Sequence, residues 1–205
     1  MADPKTPEPT RRSERSRQAI LTAAVELVGE VGYARLSVEA IAARAGVGKQ
    51  TIYRWWPSKG AVVLDAFVEL SGGSQPVALP DTGNLKADLR EVLRATVKEL
   101  TDPRFELPSR ALTAESQMDP ALSQQFVEAV LRPHLKALQE RLRSAQRAGQ
   151  VAKGVDLDVA VELFVGPLFH RWLLRTAPLT SAYADTVADL AIAALRPTAR
   201  AGAPR

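Results

Sequence analysis

A chain of 205 residues with 46% hydrophobic and 24% charged residues is a soluble, globular composition, which excludes wholesale disorder and a membrane protein. Zero cysteines and two histidines exclude disulfides, thiolate chemistry and most metal or triad constellations, and no apolar run approaches the roughly 20 residues that a membrane span needs. The net charge of +4 is uneven: residues 1–60 hold ten Lys/Arg against six Asp/Glu, whereas residues 61–205 hold 17 of each, so the excess sits near the N-terminus. A basic module joined to a neutral one suits a polyanion partner for the first and a different task for the second.

Residues 1–10, with Pro4, Pro7 and Pro9 among polar neighbours, and residues 197–205 read as disordered tails. The first helix is expected from Arg12 to about Glu30, with Ile20, Ala24, Leu27, Val28 and Val31 at helical spacing and Gly29 and Gly32 at its end. Ser37 caps a second helix that buries Val38, Ile41, Ala42 and Ala45 and stops at Gly46. A third, very short helix runs from about Lys49 to Trp56, and Pro57 and Ser58 lead into a fourth through Val62, Val63, Ala66, Phe67 and Leu70.

The aperiodic stretch SGGSQPVALPDTG, residues 71–83, reads as a linker between a head at 11–70 and a helical domain at 84–196. In that second domain, Asn84–Thr101 carries a helix with Leu85, Leu89, Val92, Leu93 and Leu100 on one face, and a shorter helix lies around Leu107–Gln117. Asp119 and Pro120 open a helix that continues to about Gln150, kinked at Pro133; the last two helices run over about 156–176 and 180–195. No strand-period alternation occurs. The fold is therefore expected to be all-α, with about nine helices.

The segment SVEAIAARAGVGKQTIYRWWPSK, residues 37–59, has the elements of a helix-turn-helix. Ala42 and Ala45 are small where two helices cross, Gly46 suits a left-handed turn, and Val47 and Ile52 fill the space between the helices. Lys49, Gln50, Thr51, Tyr53 and Arg54 are then expected to face outward, where lysine suits guanine and glutamine suits adenine in a major groove. Arg11, Arg12, Arg15 and Arg17 oppose the dipole of the first helix; phosphate or minor-groove contact and a basic tail are both open readings.

This segment, preceded by GYARL, closely resembles the TetR (tetracycline-repressor-like) family of bacterial transcriptional regulators, over about 50 residues. GPLFHRWLLRTAPL, further on, looks like a segment in the ligand-binding half of one branch of such regulators. Gly48 stands where members often have Ser or Thr, and Trp56 where Phe is common. The resemblance implies a ligand-responsive repressor that binds palindromic double-stranded operator DNA as a cytoplasmic homodimer. It assigns Tyr53 and Lys59 to phosphates, Thr51 to phosphate or base, and Lys49 and Gln50 to bases; Ser37, Arg54, Arg12 and Arg15 complete the expected DNA surface.

The remaining candidates belong to the second domain, Trp55 and Trp56 apart. Beside Ile52 those two read as core, with one of them partly exposed, rather than as a stacking platform for single strands. Leu112, Met118, Phe126, Phe164, Phe169 and Trp172 are expected to line a pocket for a small hydrophobic or aromatic effector. The helices at 156–176 and 180–195 are expected to form a four-helix bundle with a second copy: Val187, Leu190, Ala191 and Leu195 are the stripe of the last helix, and the helix around Phe164–Leu173, apolar almost all round, turns one face to its own core and one to the partner. His170 on it is either an interface residue or a polar pocket group, His134 a surface residue, and Asp156 and Asp158 acids favoured by a helix start. No nucleophile with a base, no metal constellation and no cofactor motif is present, so no catalysis is expected.

Overall fold

The computed structural model describes residues 9–72 and 78–197, with side chains from Ser13 onward. Of the expected tails at 1–10 and 197–205, residues 1–8 and 198–205 lie outside the described residues, as does the middle of the expected linker; Pro9 and Thr10, expected in the first tail, instead begin a helix. Within them the chain is all-helical: α1 (Pro9–Val31), α2 (Val38–Ala45), α3 (Lys49–Tyr53), α4 (Lys59–Leu70), α5 (Leu85–Thr101), α6 (Pro103–Ser116), α7 (Pro120–Phe126), α8 (Arg132–Arg147), α9 (Leu157–Leu174) and α10 (Ser181–Leu195). A 3-10 turn at Tyr33–Arg35 precedes α2, and a π turn at Val127–Leu131 joins α7 to α8 into one continuous stretch, so nine helical stretches result. Among the described residues no helix is long and apolar enough to cross a membrane.

Caps set most of the boundaries. Ser37, Ser58, Asn84, Asp119, Asp156 and Thr180 each accept a hydrogen bond from a backbone N–H in the first turn of the helix that follows, which satisfies donors that the helix itself leaves unpaired. Pro120 follows Asp119 where a missing N–H costs nothing. Asp156 and Asp158 thereby have a local explanation at the start of α9.

The chain divides into two compact units, and the division differs from a single break at 71–83: residues 103–127 pack with the head. In the first unit α1 lies against α2, α4 and α6, and α6 also packs on α4 and α7. Its interior holds Ile20, Ile41, Ile52, Val62, Val63, Phe67, Leu112 and Leu122. Pro103 and Pro108 stand in α6, which therefore begins four residues earlier than its apolar pattern suggests; Phe105 in its first turn meets the edge of Phe67 at 6.3 Å between ring centres.

The second unit contains α5, α8, α9 and α10 around Leu89, Leu93, Leu142, Phe164, Leu168, Ala184 and Ala188. α10 runs along α5, where Arg90 and Arg94 form two-pronged pairs with Asp189 and Asp185, each with a shortest contact of 2.6 Å. Inside this unit Asp88 and Arg141 make a buried ion pair at 2.6 Å. Arg141 also donates to the carbonyl of Pro80, and Thr82 donates to Asp88 through both its amide and its hydroxyl. The described end of the linker, 78–84, is thus fixed to α5 and α8 rather than loose.

Candidate nucleic-acid interface

The turn between α2 and α3 is built by Gly46, whose φ of 67° lies in the left-handed region that glycine enters freely. The N–H groups of Gly46 and Val47 close back on the carbonyls of Ala43 and Ala42, ending α2 in one step. Gly48 is extended and starts α3, a helix of five residues held by fully buried Ile52 and, just beyond it, buried Trp56. With Ile52 turned inward, Lys49, Gln50, Tyr53 and Arg54 are exposed and Thr51 is half-buried. The five expected reading residues therefore stand together on one short, firmly seated helix and its C-terminal cap.

The other expected contacts divide. Ser37 is half-buried and its hydroxyl oxygen caps α2 by accepting from Ala40 N at 3.1 Å. Lys59 is half-buried: its Nζ donates to the carbonyls of Tyr33 and Leu36 at 3.1 and 3.0 Å and lies 4.4 Å from the centre of the Tyr33 ring, which leaves one N–H for the phosphate contact expected of it. The Tyr33 carbonyl also accepts the turn's own bond from Leu36 N at 3.1 Å, so the ammonium at the start of α4 adds a second donor to it. Arg15 is exposed beside Gln18, Thr22 and Arg44 along a groove between α1 and α2. Arg12 has its side chain outside the described residues. Arg17 is held by Glu14, Asp65 and Glu69 at 3.3–3.6 Å, so the head's own acids already offset its charge.

Of the two tryptophans, Trp56 is core and Trp55, 40% exposed, is the partly exposed one; Trp55 stacks on Trp56, whose indole N–H donates to Asp65 at 2.9 Å. One residue on this surface was missed by sequence reasoning. Glu39, in the first turn of α2, accepts from Lys49 Nζ at 2.9 Å. That bond raises the lysine's pKa and lowers the glutamate's. An acid at a helix start is what the dipole favours, so Glu39 reads in sequence as helix chemistry; only the fold brings it to Lys49.

The candidate effector residues divide between the two units. Leu112 and Phe126 are buried in the first unit, Phe164 and Trp172 are buried in the second, Phe169 is half-buried against the edge of Trp172, and Met118 is 83% exposed at the end of α6. Trp172 spends its indole N–H on the carbonyl of Leu100. The expected dimer stripe also needs correcting: Val187, Ala191 and Leu195 face the core of their own unit, and only Leu190, 68% exposed, faces out. A stripe at helical spacing marks a buried face without saying what buries it, and here α5 covers it. The outward apolar face lies on α9, the other helix expected to meet a partner, where Val159, Leu163, Gly166, His170 and Leu173 follow at intervals of three and four, all exposed. His170 thus stands on the face that the unit leaves uncovered, and His134 is a surface residue whose Nδ1 donates to the carbonyl of Val130 at 2.8 Å.

Comparison with known proteins gives two family-model matches: residues 20–66 fit "Bacterial regulatory proteins, tetR family", and residues 79–191 fit "Tetracyclin repressor-like, C-terminal domain". The chain is 31% identical to the uncharacterized HTH-type transcriptional regulator YdeS of Bacillus subtilis, over 90% of each protein. It is 28% identical to the DNA-binding transcriptional repressor TetR of Mycobacteroides abscessus, covering 92% of this chain and 98% of that one. Among solved structures, the TetR family transcription regulator SCO0332 superposes with a TM-score of 0.69 at 32% identity, covering 89% of this chain and 99% of that one.

Proposed function

We propose, from the premise that this chain belongs to the TetR family of bacterial transcriptional regulators, that it represses transcription by holding palindromic operator DNA as a homodimer and releases it when a small hydrophobic or aromatic molecule binds. The observation that carries this reading is the outward face of α3, with Lys49, Gln50, Tyr53 and Arg54 exposed on a helix anchored by Ile52. A short helix seated in this way enters a major groove; its long donors reach base edges, while Tyr53 and Arg54 reach phosphates. Repression rather than activation is supported by the relative that is named a repressor.

The homodimer is supported by the exposed apolar face of α9 together with Leu190 on α10. Two copies related by a two-fold axis present two α3 helices to half-sites about 34–36 Å apart, or somewhat more, and so ask for a palindrome. Release by an effector is supported by the match of residues 79–191 to the C-terminal domain of tetracycline-repressor-like proteins. An effector acts only if it prefers the conformation that does not fit DNA, and by reciprocity DNA then weakens effector binding by the same factor.

Selection from a pool of randomised duplexes tests the reading. A palindromic site is expected, with an affinity that falls steeply from low to moderate salt because each neutralised phosphate releases counterions. Affinity that is flat across that range, or no enrichment of any sequence, contradicts it. Titration of hydrophobic compounds with and without the selected site then tests the effector half, and equal affinities in the two titrations refute the coupling.

A further inference from the structure

A carboxylate stands where a polyanion has to arrive. Glu39 is 61% exposed at the start of α2, and across the turn its Oε1 accepts from Lys49 Nζ at 2.9 Å, the lysine being 54% exposed. Negative charge here repels phosphate and offsets a cation on the reading surface, so it weakens non-specific binding. The helix dipole favours an acid in this turn, and an exposed ion pair adds little to stability. Neither effect explains why the partner of this acid is the first residue of α3, one of the side chains proposed above to read bases.

The pair sets a donor and an acceptor side by side. After their mutual bond, Lys49 keeps two of its three N–H donors and the Glu39 carboxylate keeps most of its lone pairs. In the major groove a G·C pair offers two adjacent acceptors, guanine N7 and O6, followed by one donor, cytosine N4. An A·T pair puts its donor between two acceptors, so a carboxylate that reaches the donor also meets an acceptor, with the thymine methyl beside it. We propose that Glu39 and Lys49 read one G·C base pair in each half-site as a unit, Lys49 donating to guanine O6 or N7 and Glu39 accepting from cytosine N4. The inference rests on the DNA-binding reading above. It makes Glu39 a specificity-determining residue that lowers affinity for DNA in general while raising preference at one position.

The test runs the same randomised-duplex selection in parallel with the full-length wild type, Glu39→Ala, Glu39→Met, Lys49→Ala and the Glu39→Ala/Lys49→Ala combination. Wild type is expected to return a G·C pair at one fixed position of each half-site, and replacing that pair with A·T should weaken its binding roughly ten-fold or more. Glu39→Ala should lose that preference while keeping the rest of the motif, and the combined variant should lose no more preference than Lys49→Ala alone. Glu39→Met keeps the length of the side chain but has no oxygen to accept from cytosine N4, and it serves as the decisive variant if the alanine form proves unstable on melting. An unchanged motif in the Glu39 pools overturns the inference. So does a gain in affinity that is equal on the selected site and on random DNA, which would make Glu39 a repulsive group only. If wild type enriches no sequence, the DNA-binding reading fails first and this inference falls with it.

Discussion

Arg141 and Asp88 are a charged pair withdrawn almost wholly from water, 3% and 2% exposed at their side chains. Such a pair adds little net stability, but removing one partner strands the other. Asp88→Ala should therefore destabilise the protein by about 3–5 kcal/mol in chemical denaturation, and Arg141→Met combined with Asp88→Leu should recover much of that loss. Burial alone raises the Asp88 pKa; the hydrogen bonds from Thr82 and Arg141 outweigh it and hold the pKa below its ordinary value. The stability contributed by this carboxylate is thus fully present above the unfolded carboxylate pKa, near 3.9, and is lost as pH falls through the lower folded value. Acid unfolding of Asp88→Asn should lack that component. Tyr33 offers the opposite case. Among the described residues its hydroxyl is a buried side-chain polar atom without a hydrogen-bond partner, and burial, with the charges of Glu115 and Asp119, raises its pKa. Tyr33→Phe should leave stability unchanged or increase it by up to about 1 kcal/mol, as measured by the urea midpoint; a loss larger than that would mean the hydroxyl has a partner in solution. Neither residue was legible in the sequence. Asp88 sits in the first turn of α5 and reads as an ordinary helix-start acid, while Tyr33 reads as one residue of a turn.

At the scale of elements the sequence was informative wherever the cause is local. Ser37, Ser58, Asp119 and Pro120 act within four residues of themselves, and the helices begin where they say. Gly46 likewise ends α2 by its own backbone freedom. Pro133 was expected to kink a long helix, and the structure shows the form the disturbance takes: the preceding turn, Val127–Leu131, widens to π geometry. Proline lacks the N–H that would pair with the carbonyl four residues back, and its ring crowds that carbonyl, so an extra residue in the turn relieves the clash. His134 then donates to the carbonyl of Val130. Pro133→Ala should let α7 and α8 join as regular helix, seen as stronger hydrogen-exchange protection over residues 127–134 and a modest rise in melting temperature. Unchanged protection there would show that the π turn is imposed by packing and not by proline. Misreadings at this scale share one cause. The stripe of Val187, Ala191 and Leu195 and the aromatic residues of α9 announce burial, but burial against α5 and burial against a second copy leave the same pattern in one chain.

For the whole molecule, the packing groups α6 and α7 with the first unit, which a single division at 71–83 does not convey. Helix periodicity says that a segment is covered on one face, and nothing about which partner across the sequence covers it. The same gap is what makes assembly testable from the corrected surface. Leu190 is 68% exposed, and Val159, Leu163, Leu173 and Leu174 are exposed with it on the second unit. Uncovered apolar side chains at this density are an unfavourable surface for a monomer, and a second copy meeting the same face around a two-fold axis removes them from water together. Gly166 lies in the middle of the stripe, and a Cβ built there meets nothing within 4 Å, which leaves room for a partner helix to come close. Leu190→Arg should therefore place an unpaired charge in the contact and give monomers in sedimentation at micromolar concentration, with palindromic DNA bound no better than a single half-site. Because Leu190 touches little of its own unit, the variant should keep its helical circular-dichroism spectrum. Ala191→Arg provides the contrast: Ala191 is buried against α5, so a charge there should unfold the unit rather than separate folded copies. A wild type that sediments as a monomer under the same conditions, or a Leu190→Arg variant that remains dimeric, would show that this face is not where the copies meet.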